Sequence, residues 1–185
     1  MTMPFLCHGR GSKITVSLII TNSPNQMTLS VQTSDFDIGA EIQQLQGHCP
    51  GAGALVSFLG TVRDMSEEDA ITQLWIEHYP GMTEKSLEAI LEEARSRWTL
   101  LGVRVIHRIG ALAPGDSIVL VIVASAHRGP AFEACAFIMD YLKTRAMFWK
   151  KEQFPEKEVW VDARTSDEQV AQRWRKDFLT EPGEI

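Results

Sequence analysis

Residues 103 to 125 constrain the fold of this 185-residue chain more than any other stretch. Val103 to Ile109 alternates like a strand, and Ser117 to Ser125 is a second, more uniformly apolar run. Pro114-Gly115-Asp116 between them is a turn, so the two runs should pair antiparallel. Just upstream, Leu87, Ile90, Leu91, Ala94 and Trp98 recur every three or four residues, the apolar stripe of an amphipathic helix with Thr83 as its expected N-cap. Further strands are expected over Ala54–Leu59, which is apolar on both faces and therefore reads as central, over Ile71–His78, and at Val159-Trp160-Val161. Further helices are expected over 37–46, from about Ala131 to Ala146 with Phe132, Ala136, Met139 and Leu142 inward, and over Asp167–Lys176. Strands and helices mix without a strict βαβ repeat, which implies an α+β fold: a largely antiparallel sheet with flanking helices.

A formal net charge of −6 argues against a nucleic-acid partner, which selects a basic face. No apolar run approaches the roughly 18 residues a membrane span needs. Cys7, Cys49 and Cys135 are odd in number and widely spaced, which fits unpaired thiols in a reducing, cytoplasmic setting. The histidines lack metal-ligand spacing, and neither a GxGxxG nor a Walker loop is present, so neither a metal nor a cofactor is expected. Residues 1–26 differ from the rest and read as a flexible extension without a secretory cleavage site, leaving 27–185 as a single domain.

Against this acidic background, Met139 to Glu152 places four cations among bulky apolar groups. Desolvating a cation beside such groups is costly unless an anion meets it. Lys143 and Lys150 are seven apart, which on a continuous helix puts both on one face roughly 10 Å apart. A snorkelling amphipathic helix would carry the same pattern. Arg63, His127-Arg128 and Arg164 stand where strands end, a frequent location for sites. Each alone fits a solvated surface residue, and His127 fits a structural imidazole equally well. Together with the two lysines they admit a convergent anion site that spacing does not prove.

Five ordered motifs then carry a family resemblance: Gly60-Thr61-Val62-Arg63, Glu77-His78-Tyr79-Pro80-Gly81-Met82, Val105-Ile106-His107-Arg108-Ile109-Gly110, Ser125-Ala126-His127-Arg128 and Met139–Glu152. Over about residues 50–175 the chain resembles the catalytic subunits of molybdopterin synthase. The resemblance implies a hammerhead-like β element and a sulfur transferase that converts precursor Z, a cyclic pyranopterin monophosphate, to molybdopterin. It also implies partners: a small ubiquitin-like subunit bringing sulfur as a C-terminal thiocarboxylate, and a second copy in a homodimer within a heterotetramer. Matched motif by motif, Lys143 and Lys150 take the catalytic positions. Thr61, Val62, Arg63, His127, Arg128, Met139, Lys151, Glu152 and Arg164 take substrate-contacting ones. Met147 departs from the proline that many relatives carry there, which leaves open where the helix ends and where Lys150 sits. The competing reading is a non-catalytic dimeric module that docks an acidic or C-terminal carboxylate tail. Both lysine positions are present, which favours the enzyme.

Overall fold

A computed structural model describes residues 15–20, 26–66, 69–161 and 165–174. In chain order its elements are β1 (Thr15–Ile20), β2 (Gln26–Gln32), α1 (Ile38–His48), β3 (Ala54–Thr61), β4 (Met65–Ser66), β5 (Asp69–Ala70), β6 (Gln73–His78), α2 (Met82–Arg97), β7 (Gly102–Arg108), β8 (Gly110–Leu112), β9 (Ser117–Ser125), α3 (Arg128–Thr144), β10 (Phe148–Gln153), β11 (Glu158–Val161) and α4 (Thr165–Gln172). They build a five-stranded sheet of order β1-β2-β7-β9-β3 and a four-stranded sheet of order β11-β10-β6-β8, with a small β4–β5 hairpin. Every pairing is antiparallel except β2 with β7. The α+β expectation holds, and β7 and β9 pair antiparallel from Gly102↔Ala124 to His107↔Val119.

The large sheet is covered on both faces, which explains the uniform apolarity of β9. Val119, Val121 and Val123 face a core shared with β2, α2 and α3. Leu120, Ile122 and Ala124 face the opposite way, against Leu45 and Cys49 from α1 and the residue that caps it. Residues alternating along one strand thus serve two cores. Around Phe137 on α3, Trp98, Tyr141 and Trp174 pack edge-on, with ring centroids 4.5 to 5.5 Å from its own. The Trp174 indole N–H donates to Asp140 at 2.8 Å, tying the segment after α4 onto α3. Gly110, at φ 84°, turns the chain out of β7 in the large sheet and into β8 in the small one. That positive φ favours glycine, and this corner joins the two sheets.

Several expectations are corrected. The run Ala54–Leu59 is not central: it lies in β3, an edge strand. Its first half is apolar on both faces because Ala54 and Val56 pack on one core and Leu55 on the other. Phe58 and Leu59, 40 % and 38 % exposed, then emerge from the sheet. Thr83 does not cap α2. Gly81 does, its N–H donating to the Glu84 carboxylate at 2.6 Å. The buried Thr83 hydroxyl accepts from the Tyr79 N–H and donates to the Met147 carbonyl. Phe132 is 62 % exposed rather than inward, because the stripe that α3 buries runs through Ala131, Ala134, Cys135, Ile138 and Leu142. After Arg63 the chain forms the short β4–β5 pairing, Met65↔Ala70 and Ser66↔Asp69.

Within the stretch expected to be a flexible extension, Thr15–Ile20 forms β1 along the β2 edge, in register from Thr15↔Gln32 to Ile20↔Met27. The rest of that stretch before Gln26 lies outside the described residues, as do Arg164 and the end of the expected terminal helix. Among the described residues no helix is long and apolar enough to cross a membrane.

Candidate active site

A cleft of about 510 Å³ opens at the seam between the two sheets. Three chain segments supply most of its walls. From the end of β3 come Phe58, Gly60 and Thr61, continued by Val62 and Arg63. Gly60 is required by packing: a Cβ there would stand 2.8 Å from a Val119 methyl. From the C-terminal half of α3 come Met139, Leu142 and Lys143, followed by Ala146 just past the helix end; the helical three share a face at i, i+3, i+4 spacing. From β10 come Phe148, Lys150 and Glu152, alternate residues and hence one face of a strand. His107 of β7, Leu74 of β6, Ile118 and Val119 of β9 and Val161 of β11 complete the lining together with Ile71.

Lys143 and Lys150 therefore share the cleft, but not as neighbours on one continuous helix. α3 ends at Thr144, where the Arg145 N–H donates to the Tyr141 carbonyl at 2.8 Å. The chain turns through Ala146 and Met147 and enters β10, which pairs with both β6 and β11. The Thr83 hydroxyl on the Met147 carbonyl, 2.9 Å away, pins this turn. With methionine rather than proline at 147, Lys150 is placed by strand register, opposite Ile76 and Val161. Residues in a helix pattern up to Ala146 and in a strand pattern from Phe148 defeat any single period, which is why β10 is absent from the sequence reading.

Of the expected site residues, Thr61, Val62, Arg63, Met139, Lys143, Lys150 and Glu152 line the cleft. Lys151 does not. One step along β10 it faces the opposite side, where its ammonium lies 2.6 Å from Glu158 and 5.5 Å from the centroid of Trp160. That contact holds the Glu158 carboxyl below its usual range. His127 and Arg128 do not reach the cleft either. They are exposed at the N-terminal end of α3, roughly 22 Å of helix from Lys143. Arg164 lies outside the described residues.

His107 was not singled out by the sequence, though it sits inside one of the five motifs. Its ring stacks on Phe148 with centroids 3.7 Å apart and planes 11° from parallel. Its Nδ1 lies 2.8 Å from the Arg108 carbonyl oxygen. Complete burial, reinforced by the charge of Lys150, pushes the imidazole down to about 3. Burial raises both described cysteines, Cys135 to about 11, so neither offers a thiolate at neutral pH. Among the described residues no group of three or more His, Cys, Asp or Glu could hold a metal ion.

The cleft has three cations and one carboxylate in a mainly apolar lining, at a seam between two sheets. In an α+β fold, such a lining can hold anionic groups together out of bulk water. Comparison with known proteins supplies the rest. The model of the MoaE protein family matches residues 31–145. The chain is 55 % identical over 147 residues to the molybdopterin synthase catalytic subunit of Ralstonia nicotianae, covering 80 % of this chain and 84 % of that one. It is 58 % identical over 147 residues to the Vibrio cholerae protein of the same name, covering 79 % and 97 %. The solved structure of the molybdopterin biosynthesis MoaE protein from Burkholderia ambifaria is 50 % identical, with a TM-score of 0.68 over 78 % of this chain and 95 % of that one. The chain belongs to the MoaE family, the catalytic subunits of molybdopterin synthase, and is an enzyme of molybdenum-cofactor synthesis acting by sulfur transfer.

Proposed function

We propose that this cleft is where precursor Z takes sulfur from the C-terminal thiocarboxylate of a small ubiquitin-like subunit. The observation that carries the reading is the meeting of Lys143, from the end of α3, with Lys150, from the cleft face of β10, beside Arg63. The substrate phosphate and the thiocarboxylate are both anions, and each needs a cation to enter a partly dry pocket. A thiocarboxylate is already ionised near neutral pH, so attack needs no strong base. What the protein supplies is approach of two like charges and stabilisation of the oxyanions formed as sulfur adds and oxygen leaves. Lys143 holds the thiocarboxylate and the reacting carbonyl, Lys150 activates the pterin, and the Arg63 fork takes the phosphate. The test is molybdopterin formation from precursor Z and thiocarboxylated small subunit. No product from the folded complex would refute the reading.

A homodimer would give His127 and Arg128 a place in the same chemistry. The β3 edge is apolar, and its two ends carry the two groups that one protomer keeps apart. Thr61 leads into the cleft, whereas Ala54 is opposite Ser125, two residues before His127. An exposed edge strand is a template for pairing with another chain. Antiparallel pairing of β3 with its twofold copy would bring the second protomer's β3 start, and with it His127 and Arg128, beside the first protomer's cleft. Mixing Arg128→Ala with Lys143→Ala protein and allowing subunit exchange should then recover activity that neither has alone. Absence of recovery in demonstrably mixed dimers would place Arg128 outside the site.

A further inference from the structure

The cations of the cleft have a use in the reading above, but the one imidazole in its wall does not. The Arg108 carbonyl can only accept, so the Nδ1 of His107 carries the ring proton and Nε2 keeps its lone pair. Phe148 covers one face of the ring, and the Arg108 carbonyl occupies the Nδ1 edge. Among the described residues nothing pairs with Nε2, and that atom is not among the buried unpaired ones, so it is the polar atom His107 can present to the cleft it lines. Held down at about 3, the ring stays uncharged at neutral pH and is too weak a base to take a proton from a lysine or a substrate. It can still accept a hydrogen bond.

That property is scarce in this cleft. Arg63, Lys143 and Lys150 only donate, Glu152 accepts as an anion, and the Thr61 hydroxyl is the other uncharged side-chain acceptor among N and O groups of the lining. A carboxylate acceptor repels a phosphate or a thiocarboxylate brought close to it, whereas an uncharged imidazole does not. A heterocycle carrying ring N–H and hydroxyl groups needs such an acceptor once it leaves water, because a buried donor without a partner is costly. We propose that Nε2 of His107 accepts a hydrogen bond from an N–H or O–H of the phosphorylated pterin and so sets which edge of the heterocycle faces Lys150. This assignment rests on the cleft being the pterin site. It makes His107 an orienting residue rather than a proton-transfer group.

Two variants separate orientation from support. His107→Phe keeps a flat ring against Phe148 and removes the acceptor, while His107→Gln returns an acceptor oxygen at similar reach. In the complex with the small subunit, His107→Phe should lower kcat/KM for precursor Z about tenfold or more, with KM raised by the lost hydrogen bond and kcat lowered by the lost orientation. Affinity for the small subunit should be unchanged, and His107→Gln should recover at least part of the kcat/KM. A kcat/KM within about twofold of wild type in His107→Phe, or no recovery in a folded His107→Gln, would overturn the proposal. A second measurement needs no substitution: in wild-type protein labelled with ¹⁵N-histidine, the Nε2 resonance of His107 should be that of an unprotonated nitrogen and should move on saturation with precursor Z. An unmoved resonance overturns the proposal even if a variant fails to fold. Wild-type complex that forms no molybdopterin would defeat the underlying reading of the cleft. Active wild type with an unaltered His107→Phe would defeat only the role of His107.

Discussion

The two sheets of this protein are built for different purposes. In the large sheet, β7 and β9 lie between helices on both faces, and from Val119 to Ser125 every residue of β9 is buried. In the small sheet, only one face of β10 is turned inward, toward the cleft, and the sheet's other face carries Trp75 of β6, Trp149 of β10 and Trp160 of β11 at 37 to 51 % exposure. Burial on both faces concentrates hydrophobic and dispersion energy, so the large sheet and its helices hold most of the folding free energy. The small sheet gains less from burial and spends its inner face on Lys150 and Glu152, residues that contribute charge rather than packing. Stability and chemistry should therefore respond to different substitutions.

The largest effect on stability is expected beneath the large sheet. Phe137→Ala removes a ring with no exposed surface from among Trp98, Tyr141 and Trp174. It should cost about 3–5 kcal/mol, measured by urea unfolding. A loss below about 1 kcal/mol would break the assignment of stability to that layer. Lys143→Ala and Lys150→Ala should do the opposite, lowering turnover by about 10²- to 10³-fold, as removal of an oxyanion donor does, while the melting temperature stays within about 2 °C. Near-normal product formation by both variants at matched folding would contradict the active-site assignment.

His107 lies where the two sheets meet and should couple stability to pH. Its folded value of about 3 is below the ordinary 6.5. Between those values the unfolded chain binds a proton that the folded chain refuses. The contribution is present above pH 6.5 and is lost as pH falls toward 3, by at most about 5 kcal/mol. Between pH 7.5 and 4.5 the unfolding free energy of wild type should fall relative to that of His107→Phe, on top of whatever pH-independent difference separates them. Parallel curves would show that this imidazole is not held uncharged. The smallest effect is expected at the outer edge. Removing residues 1–25 strips β1 from β2 and should lower the melting temperature by no more than about 4 °C, with turnover unchanged. A larger drop would make β1 part of the stabilising layer rather than an addition to it.

Much of this fold follows from local pattern. The β7–β9 pair, the α2 stripe and the approximate span of α3 are legible because each is governed by a period of 2 or 3.6 within one segment. The residues of Thr61–Arg63, Met139, Lys143, Lys150 and Glu152 could be named from ordered motifs, and they do line one cleft. The tertiary structure decided how they meet. Helix periodicity cannot report that α3 stops at Thr144, because the stop depends on Thr83 holding the Met147 carbonyl and on β6 and β11 accepting β10 between them. Strand apolarity cannot tell an edge from a centre, since β3 packs on two cores at one end and emerges at the other. Motif order cannot reveal that His127 and Arg128 stand a helix length from Lys143, or that Lys151 turns away to Glu158. Nor does composition distinguish His107 from the other histidines, because its uncharged state arises from burial in the seam, under Phe148, and from the nearby charge of Lys150, which together outweigh the opposite pull of the Arg108 carbonyl. Sequence determines what each segment prefers within a few residues. Which charges share a desolvated space is set by contacts between segments far apart in the chain.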